Sequence, residues 1–400
     1  MVQTAQAPFG LKAEDRERLS RHLTRAARGG PGTLASVTVP ISPEIDPVAL
    51  VCAARDPADS WFAVQQPDRG FALATLGVTA RIESQGPERF HRASHQWRAL
   101  AGNAQVDPPE GPAGAGLIAV GGFSFADSGA ESQHWRAFAG ASLDVPEVAL
   151  VRAGTEAFLT VTVAAGDDAA ESLDRLDERL AMLRPGAELP LWDPDPVGGV
   201  HVSGAMPPEH YEEAVARAVA LIAEGAIEKV VLAREVHVHS ASGYDAGAVF
   251  GVLREVFPSC HCVAVGRGEQ TLVAATPELL VRRDGLRAST LALAGSTGRS
   301  ADPAVDRHLG EQLLRSHKNR GEQAIVTSRI ERALAPHSVW VTSADEPQLV
   351  KIANIQHLAT PVRAQLREPI PVVELAGMLH PTPAVGGEPR EAAMALIPRL

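Results

Sequence analysis

The sequence predicts an α+β protein with antiparallel sheets and helices on their outer faces. Three observations carry that prediction. Short apolar runs of strand length recur along the chain, among them Leu117–Val120, Val148–Val151 and Phe158–Val163. Asp284-Gly285 is a hairpin turn signal between two such runs, which makes neighbouring strands antiparallel. Patterns of period 3.6 fall between or after the strands, at 168–184, 303–317 and 321–335.

Taken in order, the chain before about residue 195 holds the first strands and the helix 168–184. Glycine- and proline-rich breaks stand at 29–32, 107–116, 185–200 and 383–389. The break at 185–200 divides an N-terminal part, 1–195, from a second region, 206–400. Pro207-Pro208-Glu209 opens a helix there, since an early proline and first-turn acids favour a helix start. Its apolar stripe is expected to be Tyr211, Val215, Ala218, Val219 and Ile222, and Gly225 ends it. Strands are expected at 228–234, 271–275, 279–283 and 286–294.

Four hundred residues, 45% hydrophobic and 21% charged, suffice for a sizeable core. Against 48 acidic residues stand 37 basic ones, a net charge of −11, and aromatic residues are scarce. That balance excludes nucleic acid as a natural partner. An anionic ligand would need local compensation from a metal ion or a few placed cations. No apolar run approaches the roughly 18 residues of a membrane span, and the N-terminus lacks the pattern of a signal peptide. Cys52, Cys260 and Cys262 cannot form a disulfide framework and suit a reducing compartment, so a cytoplasmic protein is expected.

Lys229 opens an otherwise apolar run. It is either a strand-end lysine in water or, if desolvated, a general base near neutral pH. Glu278 stands between Pro277 and Leu279-Leu280-Val281, as an exposed turn residue or as a general acid raised by burial. Glu322 lies four residues before Val326 and eight before Ile330, so it is read as continuing a core-facing stripe. A carboxylate there calls for a partner or a cation, and Mg²⁺ suits hard oxygen ligands. Small residues at Ala294-Gly295-Ser296 would let a ligand carboxylate approach backbone N–H groups. His380–Gly387 is a rigid loop, for binding or only for turning. Cys260-His261-Cys262 lacks a second ligand pair, and His237 with His239 lacks an evident third ligand.

Six ordered blocks carry a resemblance: Lys229–Arg234 (KVVLAR), Ala275–Leu280 (ATPELL), Leu293–Ser296 (LAGS), Lys318–Gln323 (KNRGEQ), His357–Pro361 (HLATP) and His380–Ala384 (HPTPA). With Gly121–Phe125, Trp135 and Phe138 they resemble the chorismate-utilising enzymes. That family includes isochorismate, salicylate, anthranilate and aminodeoxychorismate synthases, and the blocks look most like the isochorismate synthases. The resemblance implies two large antiparallel β-sheets packed together with helices outside, a Mg²⁺ ion and chorismate as substrate. It implies that Lys229 activates water to attack C2 and that Glu278 protonates the departing C4 hydroxyl. Glu322 would hold the metal; Gly295, Ser296 and Ala384 would line the substrate site, with His357 and Thr360 near its carboxylates.

Anthranilate synthases typically lack that lysine and take ammonia from a glutaminase partner, so the resemblance implies no such partner, and a monomer. Lysine also occurs in salicylate and aminodeoxychorismate synthases, and salicylate synthase stays open as an alternative. So does a chorismate-fold protein that binds without turnover. The family pattern runs on past the position of Leu400, with a substrate-carboxylate arginine, a second metal glutamate and a lysine. The chain is therefore expected to carry the recognisable part of the site but not all of it. Gly321 and Gln323 replace the histidines that commonly flank the metal glutamate, which is expected to loosen its support. Menaquinone, siderophore and salicylate pathways are not separated by these residues.

Overall fold

A computed structural model describes residues 9–108, 110–129, 132–166, 168–193 and 198–400. The first eight residues, on which the leader reading partly rests, and residues 194–197 of the expected linker lie outside the described residues. Contacts group the chain into two units: Met1–Trp192 with Tyr244–Thr276, and Asp193–Gly243 with Pro277–Leu400. The chain thus leaves the first unit, returns to it, and leaves again.

The first unit is built on an eight-stranded sheet. Its order is Gln270–Thr276, His261–Arg267, Ser60–Gln66, Phe71–Leu76, Val148–Ala153, Glu156–Ala164, Leu34–Ile41 and Gln105–Val106. Every neighbouring pair is antiparallel except the last, a two-residue parallel pairing. The helix Ala13–Ala26 buries Leu19, Leu23 and Ala26, and the helix Ala169–Met182 buries Leu173, Leu176 and Leu180, into one core. Both follow the 3.6-residue period that puts one stripe of a helix on a sheet. The run expected at 117–120 forms a strand only from Val120 to Phe123. Gly121 permits that pairing: a Cβ there would stand 1.9 Å from the Ser142 carbonyl oxygen, so only glycine fits. The three cysteines are free, and burial pushes the Cys52 and Cys262 thiols up to about 11.

The second unit is built on a five-stranded antiparallel sheet. Arg282–Asp284 pairs with Arg287–Gly298, which pairs with Ile355–Leu366; Ser338–Ser343 and Gln348–Lys351 both pair with that last strand. The helix His317–Leu334 packs on it through Val326, Ile330 and Leu334, joined by Leu375 and Leu379 from the helix Val372–Leu379. Two short pairings complete the unit, Val200–Gly204 with Val236–Ser240 and Lys229–Val230 with Gly387–Glu388. The α+β class and the antiparallel sheets are as expected. Among the described residues no helix is long and apolar enough to cross a membrane.

Four local expectations need correction. The strand expected at 228–234 is only Lys229–Val230, because its partner offers two strand residues and the Gly386 carbonyl. The strand expected at 279–283 is Arg282–Asp284. Leu280 and Val281 pack on the core instead, and the Leu279 carbonyl accepts the Thr290 hydroxyl at 2.8 Å. The helix expected from 321 starts at His317, capped by Ser316, whose hydroxyl accepts from the Asn319 N–H. In the helix Pro208–Ala223 the buried positions are Ala214 and Ala218, while Val215, Val219 and Ile222 of the expected stripe are exposed.

Candidate active site

Lys229 is held by the loop that runs into Gly387–Glu388. The Glu228 N–H donates to the Glu388 carbonyl and the Val231 N–H to the Gly386 carbonyl, both at 2.8 Å. Close approach depends on Gly387, whose Cβ would stand 2.3 Å from the Lys229 carbonyl oxygen. The Lys229 ammonium turns back into the same loop and donates to the Pro383 carbonyl. Burial lowers its pKa, and the charges of Glu322 and Glu278 oppose that fall without cancelling it. Lys229 is therefore half-buried and tethered rather than free in water.

Burial likewise raises the pKa of Glu278, against a long 3.5 Å hydrogen bond from the Thr382 hydroxyl and the nearby Lys229 charge. The His380–Gly387 loop thus contacts both groups, Thr382 touching the acid and Pro383 the base. It folds on itself, since the Thr382 carbonyl accepts from the N–H groups of Val385 and Gly386. Ala384, in the same loop, packs at the edge of the second core.

Gly295 decides where Ser296 points. Along Arg287–Gly298, Ala292 faces Thr360 and Ala294 faces Leu358, but Ser296 faces His357. One extra residue, Gly295 at φ +73°, has entered the strand as a bulge. Because strand side chains alternate, this moves Ser296 off the helix-covered face and opposite His357. Ser296 Oγ and His357 Nδ1 lie 2.8 Å apart, and burial lowers the histidine pKa. A Cβ on Gly295 would also stand 2.9 Å from Asn319 Cβ. Gly295→Ala should therefore destabilise the protein by about 1–3 kcal/mol, read as a lower urea midpoint; an unchanged midpoint would contradict the bulge constraint.

Glu322 stands beside the buried stripe of its helix, not in it. Gln323 occupies the stripe with Val326, Ile330 and Leu334, and Glu322 is half-exposed with Lys318 at 4.0 Å. The reading of Glu322 as core-facing was off by one residue. Gln323, only 2% exposed, donates to the Ala292 carbonyl and to Thr360 Oγ1, both at 2.9 Å. It stitches the helix to both central strands, so Gln323, one of the two departures from the family pattern, ties this helix down.

Glu278 and Glu322 are thus both brought within electrostatic reach of Lys229. Ser296 and His357 form a second pair, and Thr360 lies buried under Gln323. Sequence reasoning missed the roles of Thr382, the Pro383 carbonyl and Asn319. The HPTPA block was a signal for the first two and the KNRGEQ block for Asn319, though its contact at Gly295 depends on the bulge. The arrangement offers a base with a lowered pKa and an acid with a raised one, which is the pairing needed to move protons in opposite directions.

Residues 21–400 match the family described as chorismate binding enzyme. The chain is 33% identical to the salicylate biosynthesis isochorismate synthase of Pseudomonas aeruginosa over 91% of this chain and 75% of that protein. It is 28% identical to isochorismate synthase MenF of Bacillus subtilis over 99% and 84% respectively. Among solved structures it resembles MenF, the menaquinone-specific isochorismate synthase from Escherichia coli, with a TM-score of 0.75. That match covers 96% of this chain and 83% of the other at 23% identity, and it speaks to the fold.

Proposed function

Since the chain belongs to the chorismate-binding enzyme family, we propose that it is an isochorismate synthase, an isomerase that converts chorismate to isochorismate. The single observation that carries the reading beyond the family is the opposed pair: Lys229 lowered and Glu278 raised by burial, both touched by one loop. Neutral Lys229 takes a proton from water as the oxygen bonds to C2 of chorismate. Both ring double bonds shift, C1=C2 to C1=C6 and C5=C6 to C4=C5, the C4–oxygen bond breaks, and Glu278 gives its proton to the departing hydroxyl, which leaves as water. One water enters and one leaves, so the product is an isomer. Lys229 ends protonated and Glu278 ionised, and exchange with solvent resets both. The Pro383 carbonyl aims the amine, and Thr382 steadies the carboxylate once it has ionised.

Mg²⁺ fits the chemistry of Glu322, the carboxylate of the helix His317–Leu334 whose charge acts on Lys229. Glu322 is a half-exposed hard oxygen donor, and this ion commonly takes one or two carboxylates with water and substrate oxygens. When bound it would supply the positive charge that a substrate carboxylate needs in a chain of net charge −11. Ser296 and His357, hydrogen-bonded to each other across the bulge, are proposed to meet the substrate's polar groups, with Gly295 and Ala384 lining the site. Thr360 acts from behind, through Gln323. All these residues fall within 206–400, which we read as the chorismate-binding region, in a cytoplasmic monomer needing no glutaminase.

The test is chorismate consumption with Mg²⁺, with isochorismate followed by coupled conversion and products separated chromatographically. Isochorismate as main product is expected. Pyruvate with salicylate would replace the proposal by salicylate synthase, and chorismate binding without turnover would replace it by a binding protein.

A further inference from the structure

The strands Val200–Gly204 and Val236–Ser240 form a two-stranded sheet of their own, an arrangement that is marginal without further support. Their register puts His201 opposite His239 and Ser203 opposite His237. Residues two apart on a strand share a face. His201, His237 and His239 therefore stand on one face, and Val200, Val202, Val236 and Val238 on the other. The pairing supplies what the sequence lacked, a third imidazole beside the His-x-His pair.

The rings are already close. His237 and His239 have centroids 5.9 Å apart at 89°, and His201 and His239 have centroids 6.4 Å apart. With Zn–N bonds of about 2 Å and a tetrahedral angle, two ligating rings have centres about 5 Å apart. For these two pairs the remaining differences, about 0.9 Å and about 1.4 Å, are a matter of side-chain rotation. His201 and His239 are exposed, so packing does not resist that rotation. Glu235 adds an orienting carboxylate, 2.9 Å from His237 Nε2, the arrangement by which metal-bound histidines are commonly fixed.

We propose that His201, His237 and His239 form a three-imidazole site for a borderline divalent cation, Zn²⁺ foremost, with Glu235 orienting His237. Imidazole nitrogens favour Zn²⁺ over the hard ions that prefer oxygen, so this site is chemically distinct from the carboxylate at Glu322. Its effect would be to clip residues 200–204 to 236–240 and so brace the short sheet. It would close a loop through the helix Pro208–Ala223 and the Lys229 strand.

The full chain, stripped with chelator and then saturated with Mg²⁺, is titrated with ZnCl₂ by calorimetry and with CoCl₂ by visible absorption. One equivalent of Zn²⁺ is expected to bind, and Co²⁺ should give the intense bands of a tetrahedral site. His239→Asn, which removes the imidazole shared by both ring contacts, should weaken Zn²⁺ binding by at least about 100-fold. Glu235→Gln should weaken it by about 10–100-fold. Circular dichroism of the metal-free variants checks that they fold; should His239→Asn fail that check, the Co²⁺ spectrum of the unaltered chain decides alone. Absence of a one-equivalent step, only weak octahedral Co²⁺ bands, or a folded His239→Asn that titrates like the unaltered chain would each overturn the proposal. Every readout is independent of turnover.

Discussion

Lys229→Ala is expected to lower kcat for chorismate by about 10²–10⁴-fold, the usual contribution of a positioned general base, while chorismate binding changes little. The substitution leaves the strand in place, because Lys229–Val230 is held through backbone groups: the Glu228 and Val231 N–H groups and the carbonyls of Gly386 and Glu388. What is lost is the amine held at the Pro383 carbonyl. Lys229→Arg should not restore activity, since a guanidinium keeps its proton at any working pH and cannot accept one from water. Turnover numbers and calorimetric chorismate affinities of the two variants check this. A kcat within a few-fold of the unaltered chain would return Lys229 to the alternative weighed from the sequence, a strand-end lysine without a part in the chemistry.

How far the residues could be read beforehand depended on whether their meaning was local. The turn at Asp284-Gly285, the early proline of the helix Pro208–Ala223, and the period of Ala169–Met182 and Pro303–Arg315 are local signals, and they place those elements within a few residues. Lys229, Glu278 and Glu322 were legible as chemistry because a charged residue in an apolar run costs free energy unless it has a partner. The HPTPA block marked the partnering loop, but which of its atoms meets which group was not legible. Thr382 and Pro383 lie more than a hundred residues from Glu278 and Lys229 in the chain, and only the pairing of Gly387–Glu388 with the lysine strand joins them. The Glu322 reading failed by one position because period alone does not tell which of two adjacent residues faces the sheet. Gln323 won the inward place by satisfying both the Ala292 carbonyl and the Thr360 hydroxyl. Ser296 shows the same limit: alternation puts it on the helix-covered face, and the Gly295 bulge moves it to the other.

Glu278→Gln is expected to cost a similar 10²–10⁴-fold and, more diagnostically, to change the shape of the pH profile. Catalysis requires the lysine without its proton and the glutamate with one. At their ordinary values of 10.5 and 4.5 the opposite arrangement dominates everywhere between, and only about one molecule in 10⁶ would hold the productive one. Burial acts on both groups in the useful direction, and each pKa unit by which the gap closes enriches that form tenfold. The unaltered chain should therefore show a bell in kcat/KM. Its acidic limb follows Glu278, raised above 4.5, its basic limb follows Lys229, lowered below 10.5, and both limbs belong to the coupled pair. Thr382→Val removes a hydrogen bond that favours the ionised carboxylate, so the acidic limb should move to higher pH. Glutamine at 278 neither ionises nor donates a proton as an acid. Only the lysine is then left to titrate, and the bell should become a single rise with increasing pH. Loss of the Glu278 charge lowers Lys229 further, so that rise should be centred below the basic limb of the unaltered chain. A fall in activity at high pH that persists in Glu278→Gln would mean that the proton reaching the C4 hydroxyl comes from another group.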